Sequence, residues 1–251
     1  MVSKNKEYVK PLGSYAIQSE VGSKAYNLMR LKHAGYNVPG GFVVITKAYM
    51  YWKKNKRVPS ELFEEVKKYL NWFSYLMKFP LIVRSSATVE DNKRASFAGI
   101  FTSYPNANSV EDIIERIERI YSDANSKRVI EYCKLHNINP KSIKMAGLVQ
   151  QQLDPEYSGI LFTRNPVNGN DETVLEYIRG VPWNLASGRE KYTNRVILTE
   201  KSKRFGMLYR ISKEIEEFFA SPQDIEWAYD GKRYWILQAR PITTLKSASF
   251  K

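Results

Sequence analysis

The chain predicts an α+β fold in two lobes, helix-rich in its first half and strand-rich in its second. Three observations carry this. Apolar residues recur at helical spacing behind capping residues as far as His136. From Met145 onward, short apolar runs separated by turn formers take over. Between the two, "HNINPKSIK" at 136–144 has the Asn/Pro/Lys composition of a connector. The expected divisions are residues 1–140, residues 141–245 and a tail at 246–251.

The elements follow in order. Ser23 is placed to cap a helix whose Leu28, Leu31 and Ala34 share a face and whose end is marked by Gly35. Ser60 precedes "ELFEEVKKYLNWFSYLMKF", where Leu62, Val66, Phe73 and Met77 fall near one face. A third helix is expected after Ser109 through Ile113, Ile114, Ile117 and Tyr121, and a fourth from Ala124 to His136. "GFVVIT" and "PLIVR" read as strands between them. In the second half "MAGLVQQQL", "SGILFT", "TVLEYI", "NRVILT", "GMLYRI", "DIEWAY" and "RYWILQ" read as strands, with one helix from Ser212 to Ala220.

Length, 43% hydrophobic content and 13% aromatic content describe a folded globular protein with a substantial core. No apolar run reaches the roughly 20 residues of a membrane helix, and the N-terminal stretch lacks a signal-peptide apolar segment. The single cysteine, Cys133, can form no internal disulfide, so a reducing, cytoplasmic setting is expected. Its helical context suits a buried structural thiol. The net charge of +13 invites an acidic partner, and residues 189–213 hold eight basic residues against two acidic ones. A nucleic-acid surface or the basic rim of a phosphate site would both look like this. No zinc-finger spacing, RNP-type signature or basic low-complexity tail accompanies the charge.

Four segments carry chemistry. In "EVGSKAYNLMRLKHAG", a Gly-Ser-Lys entering a helix joins backbone N–H groups to the Lys24 ammonium, which suits a phosphate. A Walker A loop is excluded because Ile17 stands where its first Gly is needed. An exposed helix lysine is the plain alternative. In "LIVRSSATVEDNKRASFAGIFTSY", a strand ends at Arg84 among small residues that let backbone approach a polyphosphate; pairing of Arg84 with Glu90 or Asp91 would explain it equally. In "GLVQQQLDPEYSGILFTRNP", glutamine amides between apolar strands need partners. A purine edge would supply them, as would solvent, with Gln150 and Gln152 on one side and Gln151 on the other.

The fourth segment is "DIEWAYDGKRYWILQARPIT". Asp224 and Glu226 share a strand face, and a carboxylate pair with the Gln238 amide oxygen is Mg²⁺-type ligation. Arg240 shares strand parity with Gln238. A two-residue Asp230-Gly231 turn would place Gln238 opposite in face to Glu226. A three-residue "YDG" loop with a bulge, pairing Ala228 with Lys232, would bring Glu226, Gln238 and Arg240 to one side. A ligand site therefore predicts the bulged loop, whereas a plain hairpin predicts either.

Together these segments resemble, in order and at compatible spacing, the nucleotide-binding domain of the phosphoenolpyruvate synthase and pyruvate phosphate dikinase family, which rifampicin phosphotransferases share. The resemblance runs over residues 11–244. It implies an ATP-grasp fold, two lobes with the nucleotide between them, and ATP and Mg²⁺ as cofactors. It implies phosphate contacts from Lys24 and Arg84, cover from backbone at Gly99, and Ser103 where the family often has Thr. Gln150 would lie at the nucleotide pocket, Glu176 toward ribose or adenine, Glu226 and Gln238 on Mg²⁺, and Arg240 on the phosphoryl group in flight. Two stretches depart from the family pattern: "GVPWNLASG" has Pro182 and Trp183 where Gly and Glu are expected, and "FTS" replaces the usual "QET" or "QDT".

Family enzymes pass the phosphoryl group to a histidine on a swivelling domain and then to pyruvate or another acceptor. His33 and His136, the only histidines, lack the Thr-Ser-His setting of that carrier. The chain is thus expected to complete at most the ATP half-reaction, with a partner chain or domain carrying the phosphohistidine and acceptor. A non-catalytic nucleotide sensor or structural subunit is the alternative, and a nucleic-acid-binding module a more distant one.

Overall fold

The computed structural model of the protein describes residues 7–75, 77–89, 91–92, 95–96, 100–181 and 194–243. The described residues fall into two compact units, one lying within 1–29 and 40–152, the other within 30–39 and 153–251. The division falls after Gln152, not after residue 140. Strand pairing is the reason, because the strand at 145–151 belongs in the middle of the first sheet.

The first unit holds an antiparallel sheet of β1 (Val9–Pro11), β2 (Gly41–Val44), β3 (Leu81–Ala87), β6 (Ser103–Ala107) and β7 (Met145–Gln151), in the order β1-β2-β7-β3-β6. The short β4 (Asp91–Asn92) and β5 (Ala95–Ser96) pair only with each other. Phe42, Val44, Val83 and Val149 point to one face, as the period of two requires, and all four are fully buried. That face packs on helices α2 (Thr46–Asn55) and α4 (Val110–Asp123), with Tyr49, Ile113, Ile117 and Tyr121 in the same core.

The expected helix after Ser109 is α4, and Ser109 caps it by accepting from the Asp112 N–H while Asp112 accepts from the Asn108 N–H. The fourth helix is α5 (Lys127–Leu135), capped by Ser126. The helix after Ser60 stops sooner than expected, as α3 (Ser60–Trp72). Phe73 leaves helical geometry there, and Met77 reaches the core from the turn that follows. Helix α2 was not anticipated at all.

The second unit holds β8 (Tyr157–Phe162), β9 (Thr173–Arg179), β10 (Asn194–Leu198), β11 (Gln223–Tyr229) and β12 (Tyr234–Pro241), in the order β10-β9-β8-β11-β12 and antiparallel throughout. Helix α6 (Gly206–Phe219) packs on β11. It absorbs "GMLYRI", which the sequence suggested as a strand. Leu208, Ser212 and Ile215 are its buried residues, a helical spacing that a six-residue window could not show. Phe205 just ahead of α6 makes edge contacts with Trp227 and Tyr177, so the Trp227 face of the sheet is the covered one. Arg30 from the 30–39 segment stacks over Phe218 and Phe219 at the other end of α6.

The β11–β12 hairpin corrects the expected loop while keeping its consequence. Tyr229 pairs with Tyr234, so the loop is the four residues Asp230–Arg233, and Ala228 faces Trp235 rather than Lys232. In that register Glu226 would oppose Leu237. A bulge at Leu237 shifts the register by one instead, and Glu226 comes to face Gln238 and Asp224 to face Arg240. The parity change sits in the strands, between Glu226 and Trp227 and opposite Leu237, rather than in the loop. Asp230 closes the loop by accepting from the Lys232 and Arg233 N–H groups and from the Trp235 indole.

Candidate functional residues in each unit

The first part is cationic and lies in the first unit. Helix α1 (Gln18–His33) is broken at Gly22, whose φ of 75° and ψ of 166° are not helical. The helix restarts at Ser23, so Gly22 occupies the cap position expected of Ser23. The missing cap hydroxyl comes from β3: Ser86 Oγ accepts from the Ala25 N–H at 3.0 Å and donates to the Val21 carbonyl at 2.8 Å. Only glycine fits, because a Cβ at position 22 would stand 2.1 Å from the Ser86 carbonyl oxygen. Lys24, two residues on, is 7% exposed and donates from Nζ to the Ser85 carbonyl at 2.9 Å. An ordinary exposed helix lysine would do neither.

Arg84 on β3 is 8% exposed and opposes Leu148 on one side and Ser103 on the other. Gln150 on β7 is 2% exposed and opposes Gly41 and Ile82. Strand parity therefore puts Arg84, Ser103 and Gln150 on one face, opposite to the face that carries the core. A Cβ on Gly41 would run into the Val149 backbone carbonyl oxygen, so that glycine permits the close approach of β2 to β7 beside Gln150. The neighbouring glutamines are structural. Gln151 brackets the Lys78 backbone, and Gln152 holds the Asn106 backbone and side chain. Of the three amides, only Gln150 belongs with Arg84. Gly99 and most of the "GVPWNLASG" stretch lie outside the described residues.

The second part is mainly anionic and lies in the second unit. Two adjacent cross-strand rows occupy the sheet face opposite Trp227. One reads Arg195, Glu176, Ile160, Glu226, Gln238 from β10 to β12. The other reads Ile197, Val174, Phe162, Asp224, Arg240. Glu226 and Gln238 are direct neighbours across the bulged pair. They supply a carboxylate and an amide oxygen, and Mg²⁺ shared with phosphates and water asks about that many oxygens of a protein. Among the described residues no group of three or more His, Cys, Asp or Glu gathers as a metal cluster.

Asp224 shares the Glu226 face, as its strand parity suggested, but its carboxylate is turned to Arg240. Its Oδ2 takes both the Arg240 Nε, at 2.9 Å, and the Arg240 NH2, at 2.6 Å. Burial pushes the Asp224 carboxyl above its usual value; Arg240 opposes this, and the charges of Glu226 and Glu176 add to it. Glu176 stands two strands from Glu226, about 10 Å at the usual strand spacing, and meets Arg195 at 3.6 Å.

Several described basic residues of the 189–213 stretch make contacts within their own unit. Lys213 bonds Asp171, Glu216 and the Thr163 carbonyl, Arg210 meets Glu200, and Arg204 stacks on Tyr157. Dispersed pairs of this kind do not make a phosphate-tracking stripe. Cys133 is fully buried. Among the described residues no helix is long and apolar enough to cross a membrane.

The chain belongs to the pyruvate phosphate dikinase, AMP/ATP-binding domain family, whose model matches residues 51–191 and 186–251. The Gly22–Lys24 element precedes that match.

Relatives of known name place it further. A probable phosphoenolpyruvate synthase of Methanocaldococcus jannaschii is 30% identical over 65% of this chain and 17% of its own length. A rifampicin phosphotransferase of Bacillus cereus is 29% identical over 75% of this chain and 26% of its own. Phosphoenolpyruvate synthase of Pyrococcus furiosus is 28% identical over 80% and 31%. The chain thus spans less than a third of the length of each.

Proposed function

We propose that this chain is the ATP-binding part of a dikinase-like phosphotransferase of the ATP-grasp type. It takes the phosphoryl group of Mg·ATP and passes it to a histidine on another domain or chain, from which an acceptor of the pyruvate type receives it. A cytoplasmic setting suits its single buried thiol. The observation that carries this reading is the pairing of Glu226 with Gln238 beside Arg240, supported by the buried Lys24 and Arg84.

In this reading Lys24 and Arg84 hold the phosphate oxygens, with Gly99 backbone and Ser103 beside them. Gln150 lies against the base, and Glu176 accepts from the ribose or the adenine side. Glu226 and Gln238 hold Mg²⁺, which neutralises phosphate charge when bound. Arg240 meets the charge that spreads over the transferring group. These are the tasks such a transfer sets a protein, since positioning and charge neutralisation dominate its catalysis.

Titration calorimetry with ATP, with and without Mg²⁺, tests the binding half. Folded protein that takes up ATP in neither condition would end the proposal. The altered Pro182-Trp183 stretch favours a second reading, a nucleotide sensor that has lost transfer. Labelled ATP separates the two: label reaching a chain with the carrier histidine, and lost in Arg240→Ala, excludes a sensor. A steep salt dependence of oligonucleotide binding would instead revive the nucleic-acid module.

A further inference from the structure

From the turn that ends α3 we propose a second binding surface, in which Trp72, Tyr75 and Phe79 dock an acidic protein segment that presents an apolar side chain among carboxylates. The surface takes no residue from the proposed nucleotide site, so either reading can fail without the other.

Three of the five exposed aromatic side chains among the described residues fall between positions 72 and 79. Trp72 is 66% exposed, Tyr75 72% and Phe79 45%. Scattered exposed rings are ordinary, but rings gathered in one place mark an interaction surface. The chain also holds them firmly. Helix α3 buries Leu62, Val66 and Tyr69, and the same spacing continues past its end to Phe73 and Met77. Phe73 stacks on Tyr69 at 4.5 Å between ring centroids, Met77 lies in the core, and the Met77 N–H donates to the Phe73 carbonyl at 2.8 Å. With 73 and 77 turned inward, 72, 75 and 79 follow one another at spacings of three and four on the outward side. Gln151 then fixes the end of the turn, accepting from the Lys78 N–H at 2.9 Å and donating to its carbonyl at 3.2 Å. A surface fixed in this way gives up little freedom when it binds.

Charge selects the partner. No acidic residue stands between Glu65 and Arg84, whereas Lys67, Lys68 and Lys78 are all exposed there. Glu65 itself is engaged by the Tyr8 and Val9 N–H groups. Among the described residues none of the three lysines makes an ion pair, and Lys68 Nζ lies over the Trp72 ring at 4.5 Å. Lys213 and Arg210 differ, because each meets carboxylates of its own unit. Carboxylates on a partner would find the lysines at the rim, with its apolar side chain against the rings. A nucleic acid fits less well, since bases stack on open ring faces and Lys68 covers one face of Trp72. A second copy would set lysine against lysine. Three partly exposed rings offer roughly a few hundred Å², less than the about 800 Å² each partner buries in a stable complex, so the contact is transient.

Fluorescence anisotropy tests this with a labelled amphipathic helical peptide carrying Leu on one face and Glu on the others. Comparison peptides replace every Glu by Lys or every Leu by Gln, and an oligo-dT strand represents nucleic acid. Wild type should bind the Leu/Glu peptide with affinity on the order of micromolar, and both comparison peptides about tenfold more weakly or worse. Trp72→Ser should weaken binding about tenfold, as loss of an aromatic anchor does. The double variant Lys67→Ser/Lys68→Ser should weaken it about threefold. The double variant Lys201→Ser/Lys203→Ser removes the same charge elsewhere and should bind as wild type does. If Trp72→Ser does not fold, Tyr75→Ser carries the same expectation.

Wild type that ignores the Leu/Glu peptide, or a Trp72→Ser variant that binds it equally well, overturns the proposal. A loss of the same size in Lys201→Ser/Lys203→Ser reduces the contact to net charge and overturns it too. Tighter binding of oligo-dT that depends on Trp72, or a dimer in sedimentation that Trp72→Ser dissolves, assigns the surface to another occupant. ATP titration of Trp72→Ser should match wild type. Wild type that binds the peptide but no ATP defeats the nucleotide reading alone.

Discussion

The candidate residues of the two units are held in place by different means. In the first unit, charged side chains are fixed by contact between a helix and a strand: Gly22 meets the Ser86 carbonyl, and Ser86 caps the restarted helix that carries Lys24. In the second unit they are fixed within one sheet, by the register of neighbouring strands and one bulge. The first half collects cations and an amide, which suit phosphate and base. The second collects carboxylates, an amide and one held arginine, which suit a metal and a transferring group. A site built by docking should be sensitive to shape at the point of contact, whereas a site built by register should be sensitive to charge and spacing.

The largest expected effect breaks the docking. Gly22→Val forces a Cβ into the Ser86 carbonyl and a β-branched residue into positive φ, and should destabilise the first unit by about 3 kcal/mol or more. Denaturant unfolding followed by tryptophan fluorescence measures it. A variant as stable as wild type would show that the helix break is not held by this contact.

Next come the charges, which should separate the halves by their response to metal. Arg84→Ala should weaken ATP binding about 10- to 100-fold with or without Mg²⁺, the size expected for a lost contact to an ionised group. Glu226→Ala should remove most of the gain in affinity that Mg²⁺ confers and leave metal-free binding nearly unchanged. Titration of both variants in Mg²⁺ and in chelator compares them directly. Identical responses would erase the distinction between the two halves.

A smaller effect tests the borrowed cap. Ser86→Ala should cost about 1 kcal/mol of stability, as loss of an N-cap hydroxyl does, and should lower ATP affinity through Lys24. Thermal unfolding and titration on the same preparation show whether the two losses travel together.

The smallest concerns the hairpin loop. Burial raises the Asp230 carboxyl, but the Trp235 indole and the Arg233 and Lys232 N–H groups outweigh it and hold the group below its usual 3.8. A depressed carboxyl stabilises the fold above its unfolded value and loses that contribution as pH falls through the folded one. Wild type should therefore lose stability below about pH 4 more steeply than Asp230→Asn. Unfolding midpoints between pH 2 and 6 would show the two curves converging in acid. Because the loop is partly open to water, the difference should be modest.

Much of the site was legible because strand parity is a local property. Asp224 and Glu226 share a face by spacing alone, and Glu226 must share a face with Gln238 if both are to touch one ligand; that Arg84 and Gln150 share one came only from the β3–β7 register. The device that achieves this was not legible. The "YDG" loop and the Leu237 bulge both change parity by one, and only pairing with β8 and β12 together distinguishes them. The Ser86 cap was hidden for another reason, since donor and acceptor stand 61 residues apart. Asp224 looked like a partner of Glu226 by spacing, but its strongest neighbour lay across the hairpin.

The sequence by itself determined which residues could carry the chemistry and that two lobes, helical then stranded, would present them. Residue type and the periods of two and 3.6 are written along the chain, so they need no knowledge of what folds against what. Only the tertiary structure decided that Gln152 ends the first unit, that Ser86 caps α1, and that Asp224 holds Arg240. Each of those outcomes depends on the energy of pairing between segments distant in the chain, and that energy is not a property of either segment alone.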